Sequence, residues 1–425
     1  MYRSYYTTSH VTGQLPVFPP YGKISPMRIL QINSVCSGST GRIAAGVSRV
    51  LNEAGHQSLI LFGRGEPARD VACERIEPAL TFFGHTLYAR LTDRQGFAST
   101  QATRRMIARI EAFRPDVIQL HNLHGYYLDW RVLFAWLKYA GIPVVWTLHD
   151  CYAFTGHCAF FDAVNCERWQ TGCGSCPQTR AYPKSWFFDQ SARNYTEKQA
   201  MANGLDRCTI VSPSAWLKNL VGQSFLKEYS VQVIPNGIDL DAFHPVTSDL
   251  RERYQIGNKR LIHGVANIWE PRKGLNTFLD LAQRLEQEAV VALIGLSSTQ
   301  KRALPKGMIG VTRTASVSEL AAWYSAADVF ANPTMEDNFP TTQIEALACG
   351  TPVVCYDTGG CAESLDDSCG VAVPKGDAPA LADAILRANS LKPEHCTRRA
   401  AKFGQRERFL DYVALYGALC GEAKR

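Results

Sequence analysis

The sequence predicts an α/β protein made of two doubly wound parallel sheets, each in its own domain. Three observations lead there. The chain has 425 residues, too many for one ordinary hydrophobic core, so two domains of similar size are expected. Short apolar runs of strand length alternate with amphipathic helical stretches, as parallel βαβ units require. The alternating series breaks at an irregular segment and then restarts, which implies two sheets rather than one.

The first domain is expected over 27–234. "RILQINSV" (28–35) is a buried strand by its nearly unbroken apolar run. "GSTGRIAAGVSRVLNEAG" (38–55) is a glycine loop leading into an amphipathic helix, and "HQSLILFGR" is the next strand. Met106, Ile107, Ile110 and Phe113 recur at helical spacing over 101–114. "PDVIQLHN" and "IPVVWTLHD" are strands, each ending in a polar turn that carries a histidine. "CTIVSPSAWLKNLV" is a strand and then a helix, with Ser212 or Ser214 placed to cap it.

"VQVIPNGIDLDAFHP" (231–245) is the bridge, a short strand running into Pro-Asn-Gly and an irregular acidic stretch. The second domain is expected over 235–400. Its strands are "RLIHGVANI", "VVALIGL", "VFANPT" and "TPVVCYD". Its helices include 276–288, "SELAAWYSAAD" and the one entered by "FPTTQIEALACG". The tail, 401–425, is a basic amphipathic helix expected to pack back on the first domain, its charges forming a solvated face. In such sheets ligands sit at the carboxyl ends of the strands, so two facing domains make a cleft.

Composition sets outer limits. Hydrophobic and charged contents of 46% and 20% are ordinary for a soluble globular chain. A net charge of +6 is too weak to argue for nucleic acid as the partner, and it fits an acidic small ligand such as a nucleotide. The richest apolar stretch, 132–148, is broken by Lys138, Gly141 and Pro143, so no membrane span is expected. Residues 1–26 have neither an apolar block nor a basic leader. They read as a loose extension, with Met27 an alternative start. A cytoplasmic location with reduced thiols is the corresponding expectation.

Three stretches point to chemistry. "CSGSTGR" (36–42) joins a strand to a helix, with Gly38 and Gly41 allowing a ligand close to the backbone at a helix N-terminus. It lacks the Gly-Lys-Ser/Thr of a Walker loop, and a simple tight turn fits it equally. "EPRKGL" (270–275) puts Arg272 and Lys273 before a helix, where two cations would neutralise a diphosphate or simply face solvent. "TMEDNFPTTQIEALACGTPVV" (334–354) places Asp337 in a loop and Glu345 eight residues on, inside a helix that Thr341 or Thr342 would cap. Glu345 precedes an apolar, buried-looking run, so its carboxylate needs a partner, and a ribose diol is the usual one.

A fourth stretch raises the question of metal. "GHCAFFDAVNCERWQTGCGSCP" (156–177), in a Cys-rich insertion over 151–177, holds Cys158, Cys166, Cys173 and Cys176 in a C-x7-C-x6-C-x2-C spacing. Four thiolates would close one tetrahedral structural zinc site, with His157 or Cys151 as substitutes. Free thiols or a disulfide pair are the other readings. A closed site leaves no open coordination position, so the zinc would be structural and not catalytic.

The motifs "VIPNGID…F.P", "RKGL", "AAWYSAADVFANPT", an acid-x7-Glu spacing, "EALACGTPVV" and "TGG..E" occur in that order. Together with "DVIQLHN" and "VSPSAWL" they closely resemble the large group 1 / family 4 of retaining, nucleotide-sugar-dependent glycosyltransferases. The resemblance spans roughly 27–420. "LHDCYAFTGHCAF", "WQTGCGSCP" and "EDNFP" are similar to the colanic-acid and exopolysaccharide branch. The resemblance implies a GT-B fold, with two Rossmann-like domains facing a central cleft. It implies that Glu345 binds ribose hydroxyls and that Lys273, with Arg272, meets the diphosphate. Asp337 takes the first acidic position, a departure from the family's usual Glu, so the adjacent Glu336 is an alternative contact to the donor sugar. His121 matches the histidine near the reacting sugar, and Gly38 to Gly41 match the loop under the diphosphate. Gly359, Gly360 and Glu363 match the turn that closes the nucleotide side. His124, His149 and Asp150 fall on the acceptor side.

The implied activity moves a hexose-type sugar from a nucleotide-diphosphate sugar to a glycan or lipid-linked acceptor in exopolysaccharide or surface polysaccharide synthesis. Front-face retention without a required metal is expected. No nucleic-acid partner is expected, and peripheral contact with the inner membrane surface is. Two other readings stay open: a GT-B epimerase or phosphorylase, and a non-catalytic zinc module. No pyridoxal-phosphate lysine context is apparent for a phosphorylase, an epimerase would need no acceptor, and a zinc module would not need two nucleotide-binding halves.

Overall fold

The computed structural model describes residues 26–422 apart from position 77. The expected extension 1–26, save Pro26, lies outside the described residues.

The first sheet contains β1 (Arg28–Val35), β2 (Gln57–Arg64), β3 (Cys73–Arg75), β4 (Val117–Leu120), β5 (Val144–Thr147), β6 (Cys208–Ser212) and β7 (Ser230–Val233). Its spatial order is β3-β2-β1-β4-β5-β6-β7, and every pair is parallel. The helices around it are α1 (Gly38–Glu53), α2 (Ala79–Thr92), α3 (Thr100–Phe113), α4 (Trp130–Ala140), α5 (Ser191–Ala202) and α6 (Ala215–Gln223). Helices on both faces explain why β1, β4, β5 and β6 read as continuous apolar runs. The polar exceptions are paired. Gln31 donates to the Ala44 carbonyl and to Ser48, and Gln119 donates to Thr147. Ser214, one of the two expected caps, accepts from the Leu217 N–H and starts α6.

The second domain runs α7 (Leu250–Arg253), β8 (Arg260–Val265), α8 (Leu275–Arg284), β9 (Ala289–Ile294), α9 (Ser298–Arg302), β10 (Ile309–Val311), α10 (Val317–Ala326) and β11 (Val329–Asn332). It continues through α11 (Thr341–Ala348), β12 (Val353–Asp357), β13 (Gly370–Pro374), α12 (Ala378–Arg387) and α13 (Pro393–Ala400). This sheet is also all parallel, in the order β10-β9-β8-β11-β12-β13. The last helix, α14 (Gln405–Glu422), returns to the first domain. There Phe409, Tyr412, Val413 and Tyr416 share a core with Ile29, Val47, Val117 and Val211, and the Tyr416 hydroxyl donates to Gln119.

Strand order reverses at β1/β4 in the first sheet and at β8/β11 in the second. Such switch points open a crevice at the carboxyl ends of the strands. The loops that leave them are 36–37 and 121–129 on one side, 266–274 and 333–340 on the other.

Candidate active site

Two loops of the second domain meet first. Lys273 ends a short 3-10 turn (Pro271–Lys273) after β8, and Gly274 follows at φ +76°. A Cβ there would stand 2.2 Å from the Pro333 carbonyl oxygen, so glycine lets the two loops close on each other. The Met335 N–H then donates to the Arg272 carbonyl at 2.8 Å. The result is an ion pair between Lys273 Nζ and Asp337 Oδ2 at 2.6 Å. Burial works to raise the Asp337 carboxyl, but Lys273 and Arg272 outweigh it and hold it below the usual range.

The neighbouring acid points the other way. Glu336 is fully buried, and its two carboxylate oxygens accept from the Phe161 and Ala163 N–H groups, each at 3.0 Å. These donors belong to the Cys-rich insertion of the first domain. In this structure the Glu336 carboxylate therefore latches the two domains together. Arg272 is drawn into the same junction, donating to the Glu336 carbonyl at 2.6 Å with its guanidinium 3.8 Å from the Phe160 ring centroid.

Burial pushes the Glu336 carboxyl up to about 7, against the two N–H bonds that favour its anion. The folded chain thus binds this proton more tightly than the unfolded one. The stabilising effect is complete below about pH 4.5 and is lost as pH rises through 7, on the order of 3 kcal/mol in all. Denaturant unfolding of wild type and Glu336→Gln at pH 4.5, 6 and 7.5 checks this. The wild type should lose ground to the variant across the window, and parallel curves would refute the assignment.

Glu345 sits in α11, buried, and its carboxylate accepts from the Tyr324 hydroxyl at 2.9 Å. Burial raises its proton affinity, and Arg42, from the start of α1 in the first domain, acts in the opposite direction together with Tyr324 and Thr341. Neither threonine caps α11. Pro340 holds the N-cap position, Thr341 is the first helical residue, and its hydroxyl turns back toward Glu345.

Gly359 and Gly360 pack on the backbone of the acidic loop. Gly359 has φ +59°, and added Cβ atoms would lie 1.9 and 2.0 Å from the carbonyl oxygens of Asp337 and Asn338. Glu363 bridges to the first domain. Its carboxylate accepts from the Ala215 and Trp216 N–H groups at 2.7 and 2.8 Å, capping α6 of the other domain.

On the first-domain side, Gly38 has φ +75° and opens α1, and Gly41 packs against the Cys36 backbone. His121 follows β4 and is 1% exposed. Its Nε2 bonds Gln31 Oε1 at 2.9 Å and its Nδ1 bonds His149 Nε2 at 3.0 Å. Gln31 Oε1 only accepts, so Nε2 of His121 carries the hydrogen. Burial, reinforced by His149, holds His121 well below its ordinary value, so the ring is neutral. It is a satisfied histidine that orients His149, not one facing an open cleft. His149 stacks on it at 5.3 Å and is pushed down to about 4, mainly by burial. His124 bonds Asp150 Oδ2 at 2.7 Å and the Tyr182 hydroxyl at 2.8 Å.

Sequence reasoning missed the residues that join the halves. Asn338 donates to the His149 carbonyl at 2.5 Å, and Lys375 pairs with Asp162 at 2.8 Å. It also missed Tyr324 and the buried Lys198. The latter donates to the Tyr152 and Thr155 carbonyls, and burial pushes it down to about 7. Asn338 lies inside the quoted "EDNFP" but carries no charge to single it out. The others pair with partners remote in sequence.

The expected zinc site is not assembled. Among the described residues no three His, Cys, Asp or Glu side chains stand where one metal ion could take them all. Cys158, Cys166, Cys173 and Cys176 are free thiols. Cys158 and Cys176 hydrogen-bond each other, while Cys173 accepts the Gly156 N–H at 3.2 Å. Aromatic stacking shapes the insertion instead: Trp169 lies 4.9 Å from Phe161 and 5.3 Å from Phe154.

Residues 40–242 match the family model described as Glycosyltransferase Family 4, and residues 259–390 match the one described as Glycosyl transferases group 1. A protein named as a colanic acid biosynthesis glycosyl transferase, WcaC of Escherichia coli strain K12, is 25% identical over 418 residues, 92% of this chain and 99% of its own. Among solved structures, sucrose-phosphate synthase from Thermosynechococcus elongatus superposes with a TM-score of 0.67 at 18% identity, covering 93% of this chain and 100% of its own. Anabaena HepE in complex with UDP superposes with a TM-score of 0.63 at 16% identity, covering 92% and 100%.

Proposed function

From its place among the group 1 and family 4 glycosyltransferases, to which this two-domain GT-B chain belongs, we propose that it passes a hexose-type sugar, with retention, from a nucleoside diphosphate to a glycan or lipid-linked acceptor of polysaccharide synthesis. The observation that carries this is the Lys273–Asp337 pair at the second switch point. A held cation beside a carboxylate there suits a departing diphosphate and the reading of sugar hydroxyls.

The chemistry is simple to balance. The bond from sugar C1 to the diphosphate oxygen breaks, and a bond from the acceptor oxygen to C1 forms on the same face. The acceptor's proton goes to the departing phosphate oxygen. Negative charge builds on that phosphate and is met by Lys273, by Arg272 and by the N–H groups that open α11. These groups supply the charge that a divalent metal supplies elsewhere, so transfer is expected without one. Glu345 takes the ribose hydroxyls. His121, neutral and fixed by Gln31, holds His149 at the acceptor side beside His124 and Asp150. UDP in the HepE complex and the colanic acid pathway of WcaC support the donor class and the polysaccharide setting.

The test is product analysis across a panel of UDP- and GDP-sugars with lipid extract as acceptor. The expected outcome is acceptor-dependent release of nucleoside diphosphate, an unchanged anomeric configuration by NMR, and turnover that persists in EDTA. An inverted product or EDTA-abolished turnover would overturn the retention or the metal independence, respectively. Turnover without acceptor incorporation would favour an epimerase.

A further inference from the structure

The Cys-rich insertion holds a pair of groups that the donor site does not use. Cys158 follows the 3-10 turn Tyr152–Phe154 and is 7% exposed. Cys176 is half-buried near the end of the insertion, between exposed Ser175 and Pro177. Their side chains hydrogen-bond each other, Cys158 donating and Cys176 accepting. Two thiols whose sulfurs already touch meet the distance requirement that most cysteine pairs fail, since a disulfide bond is only about 2 Å long. The surroundings favour reaction at Cys176. The bond from Cys158 and the nearby His157 ring both favour its anion, and they outweigh burial and Asp189, whose carboxylate accepts the Cys176 N–H at 2.6 Å. His157 is itself held in place. Its Nδ1 bonds Asp93 Oδ1, and its buried Nε2 has no hydrogen-bond partner among the described residues. A second contacting pair, Cys36 with Cys73, is set differently. Burial pushes Cys36 up to about 11, and Cys73 donates to the Ala68 carbonyl at 3.5 Å.

The segment between Cys158 and Cys176 is the part of the insertion that grips the other domain. It contains Phe161 and Ala163, whose N–H groups hold Glu336, and Asp162, which pairs with Lys375 and accepts from Thr358 at 3.1 Å. The Gln178 side chain donates to the Phe160 carbonyl, so the end that carries Cys176 is already tied to the turn that grips. We propose that Cys158 and Cys176 are a redox-active dithiol, oxidised by a low-molecular-weight disulfide and reduced by a thiol, whose disulfide fastens the 158–176 loop against the second domain. The Cys176 sulfur attacks one sulfur of the oxidant. The oxidant's S–S bond breaks, and its departing sulfur takes the Cys176 proton. Cys158 then attacks the Cys176 sulfur of this mixed disulfide, and the second thiol leaves with the Cys158 proton. The two protein thiols lose two electrons, and one oxidant disulfide becomes two thiols. Closing the loop removes freedom from its open arrangements, so the N–H pair that holds Glu336 lets go less often. None of this depends on the donor reading.

Glutathione and glutathione disulfide in graded ratios, applied to the full chain, test this. After alkylation of the remaining thiols, mass spectrometry should show two fewer alkylated cysteines in the oxidised chain. The peptide map should join Cys158 to Cys176, and excess dithiothreitol should undo the bond. Cys158→Ser should stop with one glutathione on Cys176, and Cys176→Ser should form no such bond. The Phe161 and Ala163 amides should exchange with deuterium about tenfold more slowly in the oxidised wild type than in the reduced one. In both variants they should keep the reduced rate whatever the buffer. A disulfide mapped to any other pair, Cys36–Cys73 and Cys173–Cys176 included, overturns the assignment. So does full alkylation of Cys158 and Cys176 in glutathione disulfide alone, or release of one zinc ion per chain when the thiols are modified, which would make the cysteines a metal site. If the bond forms and the two amides exchange at an unchanged rate, the fastening is overturned.

Discussion

Replacing Lys273 with methionine is expected to lower kcat/KM for transfer by about 10²- to 10³-fold, the usual cost of removing one preorganised donor to a developing anion. The ammonium is positioned before any substrate arrives. Its loop is pinned by Gly274 against Pro333 and by the Arg272–Met335 backbone bond, and its Nζ is held at 2.6 Å by Asp337. Such a cation needs no reorganisation when the phosphate leaves. The substitution also strands the Asp337 carboxylate, so part of any lost activity would come from lost stability. A double variant separates the two. Lys273→Met with Asp337→Asn removes the stranded charge and should recover thermal stability without recovering transfer. Lys273→Arg keeps the charge but not the compact ammonium, and should fall between. If Lys273→Met folds normally and stays within about fivefold of wild type, the diphosphate is held elsewhere.

The frame was legible because it is local. Apolar runs of strand length between amphipathic helices read as β1, α1, β8 and β12 without reference to the rest of the chain. Parallel topology then puts the loops that carry Lys273, Asp337 and His121 at the carboxyl edges of the two sheets. What was not legible depends on the other domain. Glu336 and Asp337 are adjacent acids of similar chemistry. One turns to Lys273 and the other to the Phe161 and Ala163 N–H groups, 175 and 173 residues away. Glu363 likewise spends its carboxylate on α6. His121 was singled out by the family resemblance, and Gln31 and His149 use both of its nitrogens. The cysteine spacing suggested metal because thiol chemistry is the louder signal, whereas the insertion is shaped by Phe154, Phe161 and Trp169.

Glu345→Ala should cost about 10²-fold or more in kcat/KM, and most of it should appear as weaker donor binding. A carboxylate that accepts two hydroxyl donors makes charge-assisted bonds worth roughly 1.5–3 kcal/mol each. For that it must be ionised, and its site is set against ionisation by burial. Arg42, a first-domain residue, offsets part of this and favours the ionised carboxylate. Donor affinity should therefore fall as pH drops toward the raised Glu345 value. Arg42→Ala should move that fall to higher pH, because the cation no longer favours the anion. Glu345 also accepts from Tyr324, so its removal leaves a buried hydroxyl without that partner. Tyr324→Phe is the control. It should leave donor affinity within a few-fold of wild type, since the hydroxyl only orients the carboxylate. Calorimetry with the nucleoside diphosphate distinguishes the roles. If Glu345→Ala lowers Tm yet binds nucleotide as tightly as wild type, the residue is an internal anchor for Tyr324 and the ribose contact must be sought elsewhere.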